Sequence, residues 1–142
     1  MGDAERAKAL LSDGQYTCVL CREDACLTSK SRGISPMLDW IREGRKLDGF
    51  SAADTIVGKA AAMLFVLAGV RSVYGRVMSE AGRDYLTARG VACSYETLAA
   101  QINSRNGDGV CSMEQAVAQL EDAETAYAVL LEKRDAMRRN HK

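Results

Sequence analysis

Several things are scarce in this 142-residue chain, and each scarcity removes a class of function. There is one histidine, His141, second from the last residue, so histidine-based acid–base catalysis or a histidine-rich metal centre has nothing to build on. No net charge is available, because nineteen basic side chains balance nineteen acidic ones. Nucleic-acid binders carry a basic excess that releases phosphate counterions, so nucleic acid is not an expected partner. The short basic runs Lys30 to Arg32 and Arg138 to Lys142 do not change this, since solvated helix ends carry such runs as well. Long apolar runs are also missing. The longest, Ala60 to Val70, has eleven residues, whereas a span across about 30 Å of hydrocarbon takes about twenty. It reads as a buried helix, with no membrane partner. Asp3, Glu5, Arg6 and Lys8 follow Met1 with no apolar segment of a secretory leader. Five cysteines at irregular spacing form no disulfide framework, so a reducing, cytoplasmic setting is expected.

What is present suits one globular domain over residues 1–142, with 47% hydrophobic and 27% charged residues. Ala4, Ala7, Leu10 and Leu11 recur at helical spacing, predicting a helix over Asp3 to Ser12 stopped by Gly14. Tyr16 to Cys21 and Ala25 to Ser29 are β-rich and flank Glu23-Asp24, which predicts a hairpin. Ser35-Pro36 starts a helix through Met37 to Glu43. Ser51 to Asp54 has the form of a capping box, predicting one long helix from there to Ala68. Ser72 to Met78 reads as a strand, Ser79 as the cap of a helix to Arg89, and Val91 to Tyr95 as a strand parallel to the first. A short helix over Glu96 to Ile102 and a polar loop over Asn103 to Val110 follow. Ser112 with Gln115 forms a capping box, and Asp122 caps a last helix over Ala123 to Arg138. The order predicts an α/β fold, a three-layer α/β/α sandwich on a mixed sheet.

Four blocks carry a resemblance. They are Gly33-Ile34-Ser35-Pro36-Met37-Leu38, Asp54-Thr55-Ile56-Val57-Gly58-Lys59-Ala60-Ala61-Ala62, Val77-Met78-Ser79-Glu80, and Asn103-Ser104-Arg105 followed by Gly109-Val110-Cys111-Ser112-Met113-Glu114. On them the chain resembles the bacterial and archaeal family called domain of unknown function eighteen-ninety-three, over roughly residues 8–131. Ser112 departs from the family, which tends to have proline there; both residues suit a helix start. The resemblance implies a cytidine-deaminase-like fold and no particular reaction.

Zinc deaminases place His-x-Glu or Cys-x-Glu at one helix start and Pro-Cys-x-x-Cys at the next, the thiolates and imidazole holding the metal while the glutamate moves protons. By that resemblance the first position falls near Val57-Gly58-Lys59-Ala60, which offers neither ligand nor proton shuttle, and the second near Met78-Ser79-Glu80-Ala81-Gly82, which has no cysteine. No zinc or other cofactor is expected. Cys18, Cys21 and Cys26 could be offered as ligands, but residues 18 and 21 of a strand point to opposite faces.

The residues at these helix starts are the candidates for other chemistry. Ser79 and Glu80 are either a cap with a dipole-favoured carboxylate or a hydroxyl and a carboxylate presented to a ligand. Gly58, placed inside a helix, costs about 1 kcal/mol against alanine and so needs a reason. Lys59 in an apolar stretch is either a snorkelling side chain or an amine with a lowered pKa. Cys111, just before a helix, is either an inert buried thiol or a nucleophile that Lys59 or Glu114 assists. Asn103 and Arg105 form a solvated turn or bind an anion. Two functions follow. In one, Lys59, Cys111 and Glu80 are catalytic and Ser79, Gly58, Glu114, Arg105 and Asn103 bind a small polar or nucleotide-like ligand. In the other, the domain is a catalytically silent interaction or regulatory module, a homodimer through its last helix and sheet edge.

Overall fold

Why this chain makes a sheet with helices on both faces follows from where its small and apolar residues fall. The computed structural model describes residues 2–107 and 109–140; His141 lies outside them, as does Asp108 in the polar loop. Helix α1, Asp3–Ser12, buries Ala7 and Leu11. Strands β1 (Cys18–Arg22) and β2 (Ala25–Ser29) form the expected antiparallel hairpin. Its tip is held by α1. Asp3 Oδ1 accepts from the Glu23 amide at 2.9 Å, and the Arg6 guanidinium donates to the carbonyls of Glu23 and Ala25. These contacts support Glu23 at a φ of 53°, a left-handed conformation that a residue with a Cβ seldom adopts. Then come α2 (Ser35–Arg42), β3 (Ser51–Val57), α3 (Lys59–Ala68), β4 (Ser72–Ser79), α4 (Glu80–Ala88), β5 (Ala92–Ala99), α5 (Ser112–Val117) and α6 (Ala123–Arg139).

The five strands lie in the order β2-β1-β3-β4-β5. β1 is antiparallel to both neighbours, while β3, β4 and β5 run parallel and are joined by the crossover helices α3 and α4. On one face α1 packs Ala7 and Leu11 on Val19, Cys21 and Ala53. On the other lies the larger core, with Leu20, Trp40, Val57, Phe65, Leu86 and Leu130 buried together. Cys18 belongs to this second core and Cys21 to the first, so the two thiols are on opposite faces, as strand alternation requires. No helix among the described residues is long and apolar enough to cross a membrane.

Two expected helices are strand in part. Residues from Ser51 to Ala68 are not one helix but β3, a break at Gly58, and α3. β3 lies between β1 and β4 and is buried on both faces, so it lacks the alternation that marks a half-exposed strand. Its two alanines imitate a helical run, and pairing with both neighbours overrides that preference. The expected helix over Glu96 to Ile102 is also overturned, because β5 continues to Ala99 in register with Ser79 of β4. At α5 the N-cap is Cys111 and its side chain makes no capping bond; Ser112 is already helical, and Gln115 Nε2 reaches back to the Val110 carbonyl at 2.7 Å. Ser35 likewise lies inside α2, one residue past the N-cap Ile34. The caps expected at Ser79 and Asp122 are found, with Oγ and Oδ2 accepting from the Gly82 and Thr125 amides.

One carboxyl in β3 is out of keeping with its surroundings. Asp54 is 5% exposed, opposite Cys18 on β1 and Gly75 on β4. It accepts long hydrogen bonds from the Ile56 amide at 3.4 Å and Thr55 Oγ1 at 3.5 Å, with the Thr55 amide and the Cys18 thiol also interacting with it. Burial therefore dominates and lifts its pKa from 3.8 to about 7; burial also pushes the Cys18 thiol well above its ordinary range. The unfolded chain releases this proton first as pH rises, so the folded state loses stability between the two values and the loss levels off above the higher one. Asp54→Asn should remove that slope. Between about pH 5 and about pH 8 wild type is expected to lose roughly 2–3 kcal/mol that the variant keeps, read by urea unfolding; equal slopes would disprove it.

Candidate functional site

Helix α3 begins without a cap of its own, because Gly58 at its N-cap has no side chain. Its first amides point out at the carboxyl end of the sheet, the arrangement that attracts anions in open α/β sheets. Here the anion is part of the chain. Glu114, on α5, places one carboxylate oxygen 2.7 Å from the Lys59 amide and the other 3.0 Å from the Ala60 amide. Burial raises this carboxyl above its ordinary range, and the two amides with the nearby Lys59 charge pull it part of the way back.

Lys59 answers in the other direction. Its ammonium donates to the carbonyl of Ala118, the C-cap of α5, at 3.1 Å, and lies 4.0 Å from the Glu121 carboxylate. An acidic residue thus caps the start of α3 while a basic one caps the end of α5, each on the dipole end that favours it. Lys59 is the first helical residue rather than an interior one, and its side chain is 13% exposed.

The reason for Gly58 is now specific. A Cβ there would meet Glu114 Oε1 at 2.4 Å and its carboxyl carbon at 2.5 Å, so no side chain fits while Glu114 is docked. Gly82, in the first turn of α4, plays the matching part; a Cβ on it would fall 2.9 Å from the Val57 carbonyl and 3.0 Å from the Gly58 carbonyl carbon. The starts of α3 and α4 therefore press backbone against backbone. Ser79, 1% exposed, spends its hydroxyl on the Gly82 amide at 3.0 Å.

Of the expected site residues, Gly58, Lys59 and Glu114 are brought into direct contact, and Ser79 joins them through Gly82. Glu80 stands exposed in the first turn of α4. Cys111 is half-buried, and its backbone pairs with Ile102 and Gln115. Asn103 bridges to Val110 and accepts from Gln101 Nε2 at 2.8 Å, and Arg105 is exposed in the same loop. Gly82, the Ala118 carbonyl and Glu121 join the site without being among the sequence candidates. Gly82 had the same signal as Gly58, a glycine where helix propensity disfavours one. A cavity of about 330 Å³ does exist, but at the other end of the parallel strands, beside α1, lined by Lys8, Ala52, Ser72, Tyr74, Ala92 and Ser94.

Removing the carboxylate by Glu114→Ala leaves two amides unpaired and is expected to cost ~1–3 kcal/mol in urea unfolding. Acetate should recover part of that loss where chloride at equal ionic strength does not. Gly58→Ala expels the same carboxylate, so the two substitutions together should cost clearly less than their sum. Simple additivity, or no acetate effect, would refute the cap.

The comparisons with known proteins agree with this architecture. A crystal structure of a DUF1893 family protein, TM1506 from Thermotoga maritima, is similar with a TM-score of 0.82 at 21% identity, over 91% of this chain and 88% of that one. No curated protein matches the chain. Residues 6–134 match the family described as TM1506, domain of unknown function (DUF1893), and the chain belongs to that family.

Proposed function

We propose that this chain is a zinc-free, cytidine-deaminase-like domain that works as a binding or regulatory module and not as a hydrolase. The observation that carries the reading is the Glu114 carboxylate on the Lys59 and Ala60 amides. In the deaminase arrangement a metal and its substrate sit between two helix starts. Here one start is filled by the chain's own carboxylate, the other by the Ser79 hydroxyl, and Gly58 and Gly82 close the space between them. Glu114, Lys59 and Ser79, three of the polar groups that a catalyst would turn toward substrate, are committed to holding helices together. The order of hairpin, β3, and two parallel crossover units supports the likeness to deaminases.

The partner in this reading is a second copy of the chain. β5 is an eight-residue sheet edge with Ser94 to Thr97 exposed and no proline to block pairing. Val129 and Met137 add exposed apolar surface on α6. Purified protein is expected to hold no stoichiometric zinc, to release no ammonia from cytidine or deoxycytidine, and to show a concentration-dependent dimer mass. One zinc per chain with ammonia release would overturn the non-catalytic reading. A single-chain mass at every concentration would overturn the homodimer.

A second reading has its own observation: the two α3 amides hold a carboxylate, so a ligand bearing a carboxylate or phosphate can compete with Glu114 for them. In that case Lys59, Cys111 and Glu80 carry the chemistry, and Gly58, Ser79, Asn103, Arg105 and Glu114 line the site of a small polar or nucleotide-like ligand. A nucleotide panel would then raise the melting temperature of wild type, and Lys59→Ala and Cys111→Ser would abolish the shift while staying folded. No shift with any member of the panel would eliminate this reading.

A further inference from the structure

The hairpin places two thiols where a covalent bond between them needs almost no movement. Cys21 on β1 and Cys26 on β2 are register partners, and their sulfurs are 2.7 Å apart. The turn has two residues, so Arg22 and Ala25 are the closing hydrogen-bonded pair, and Cys21 and Cys26, next in line, form a non-hydrogen-bonded pair. Such pairs have Cα atoms about 4.5 Å apart, inside the ~4.4–6.8 Å range that disulfides span. The tip is fixed by Asp3 and Arg6 of α1, which limits the motion that would otherwise separate the sulfurs. Access is asymmetric, since Cys26 is exposed and Cys21 is buried beneath α1. No other cysteine competes: Cys18 faces the opposite core, and Cys93 and Cys111 lie outside the hairpin.

We propose that Cys21 and Cys26 form a reversible intrachain disulfide, making the hairpin tip a modification site for low-molecular-weight disulfides of the glutathione type. The exposed Cys26 thiolate attacks one sulfur of the small disulfide; a bond forms to Cys26 Sγ, and the other half leaves as thiolate, taking up the proton Cys26 gave up. Cys21 then loses its proton and attacks Cys26 Sγ, expelling the second small thiolate, which becomes a thiol. Two protein thiols and one small disulfide become one protein disulfide and two small thiols, with two electrons passing to the small disulfide. Excess small thiol reverses both steps. Burial holds the Cys21 thiol up at about 11, which disfavours it as the first attacker; in the second step the Cys26 sulfur is already beside it, and that proximity offsets the scarcity of thiolate. The closed loop is very short, so the bond adds little stability. Its effect is chemical, shielding the exposed Cys26 sulfur from stepwise oxidation to sulfinic and sulfonic acids.

The test is equilibration of the full chain with a series of reduced and oxidised glutathione mixtures, acid quench, alkylation in denaturant and intact mass. Free thiols are expected to fall by two with no glutathione retained, and peptide mapping should join the Cys21 and Cys26 peptides. The equilibrium should favour the disulfide by about tenfold more in the native chain than in urea, because strand pairing has already closed the loop. Cys26→Ser should abolish the bridge, and Cys93→Ser with Cys111→Ser should leave it intact. A stable glutathione adduct on Cys26 with Cys21 still alkylatable, a bridge to another cysteine, no loss of thiols, or equal equilibria in native and urea-unfolded chain would each overturn the proposal.

Discussion

The carboxylate of Glu114 on the first amides of α3 is the contact on which the carboxyl end of this sheet depends. A helix start leaves amides unpaired, and at the centre of a parallel sheet those amides cannot all be left to water without opening a cleft. The chain meets the need from fifty-five positions away in sequence, with a side chain on a six-residue helix too short to be stable by itself. Lys59 ties the end of that same helix back to α3, so α5 is held at both ends by the helix it caps. Gly58 and Gly82 then become necessities of contact. One makes room for the carboxylate and the other for the backbone of the β3–α3 turn.

Two buried ionisable groups show how differently the fold treats charge. Arg134 of α6 is 5% exposed, but its guanidinium reaches Asp39 of α2 at 2.7 Å and Asp135 at 3.2 Å. The charge is therefore ion-paired where it is buried and sets α6 against α2, although Nη1 and Nη2 have no hydrogen-bond partner among the described residues. Asp54 has no cation beside it among the described residues, and its hydrogen bonds do not offset burial, so it holds its proton toward neutral pH. A cation inside the sheet would need room that β3, with alanines at 52 and 53 under packed helices, does not leave.

How much of this was legible in the sequence depended on the distance over which each feature is determined. The helical spacing of α1, the hairpin with its two-residue turn, and the caps Ser79 and Asp122 are local, and they read correctly. β3 did not, because a strand buried on both faces has no alternation and its alanines favour helix in isolation. β5 was cut short for a related reason, since its last residues are strand only through pairing with β4. Gly58 stands out in the sequence, but its reason lies in a carboxylate that no local pattern connects to it. Cys21 and Cys26 could be put on opposite strands from sequence; that they are register partners required the turn to be fixed.

The internal cap also limits what the helix start can bind. An anion entering from solvent must first expel Glu114, and it then competes with a carboxylate already positioned and largely desolvated. If the capping contact is worth ~1–3 kcal/mol, a ligand at these amides binds roughly 5- to 150-fold more weakly than it would at an open helix start. A weak anion such as free phosphate therefore gains little there. Only a ligand with further contacts, for example to the Lys59 ammonium, would overcome the difference. The feature that attracts anions to a helix start is thus satisfied within the fold, while the edge of β5 and the outer side of α6 stay exposed.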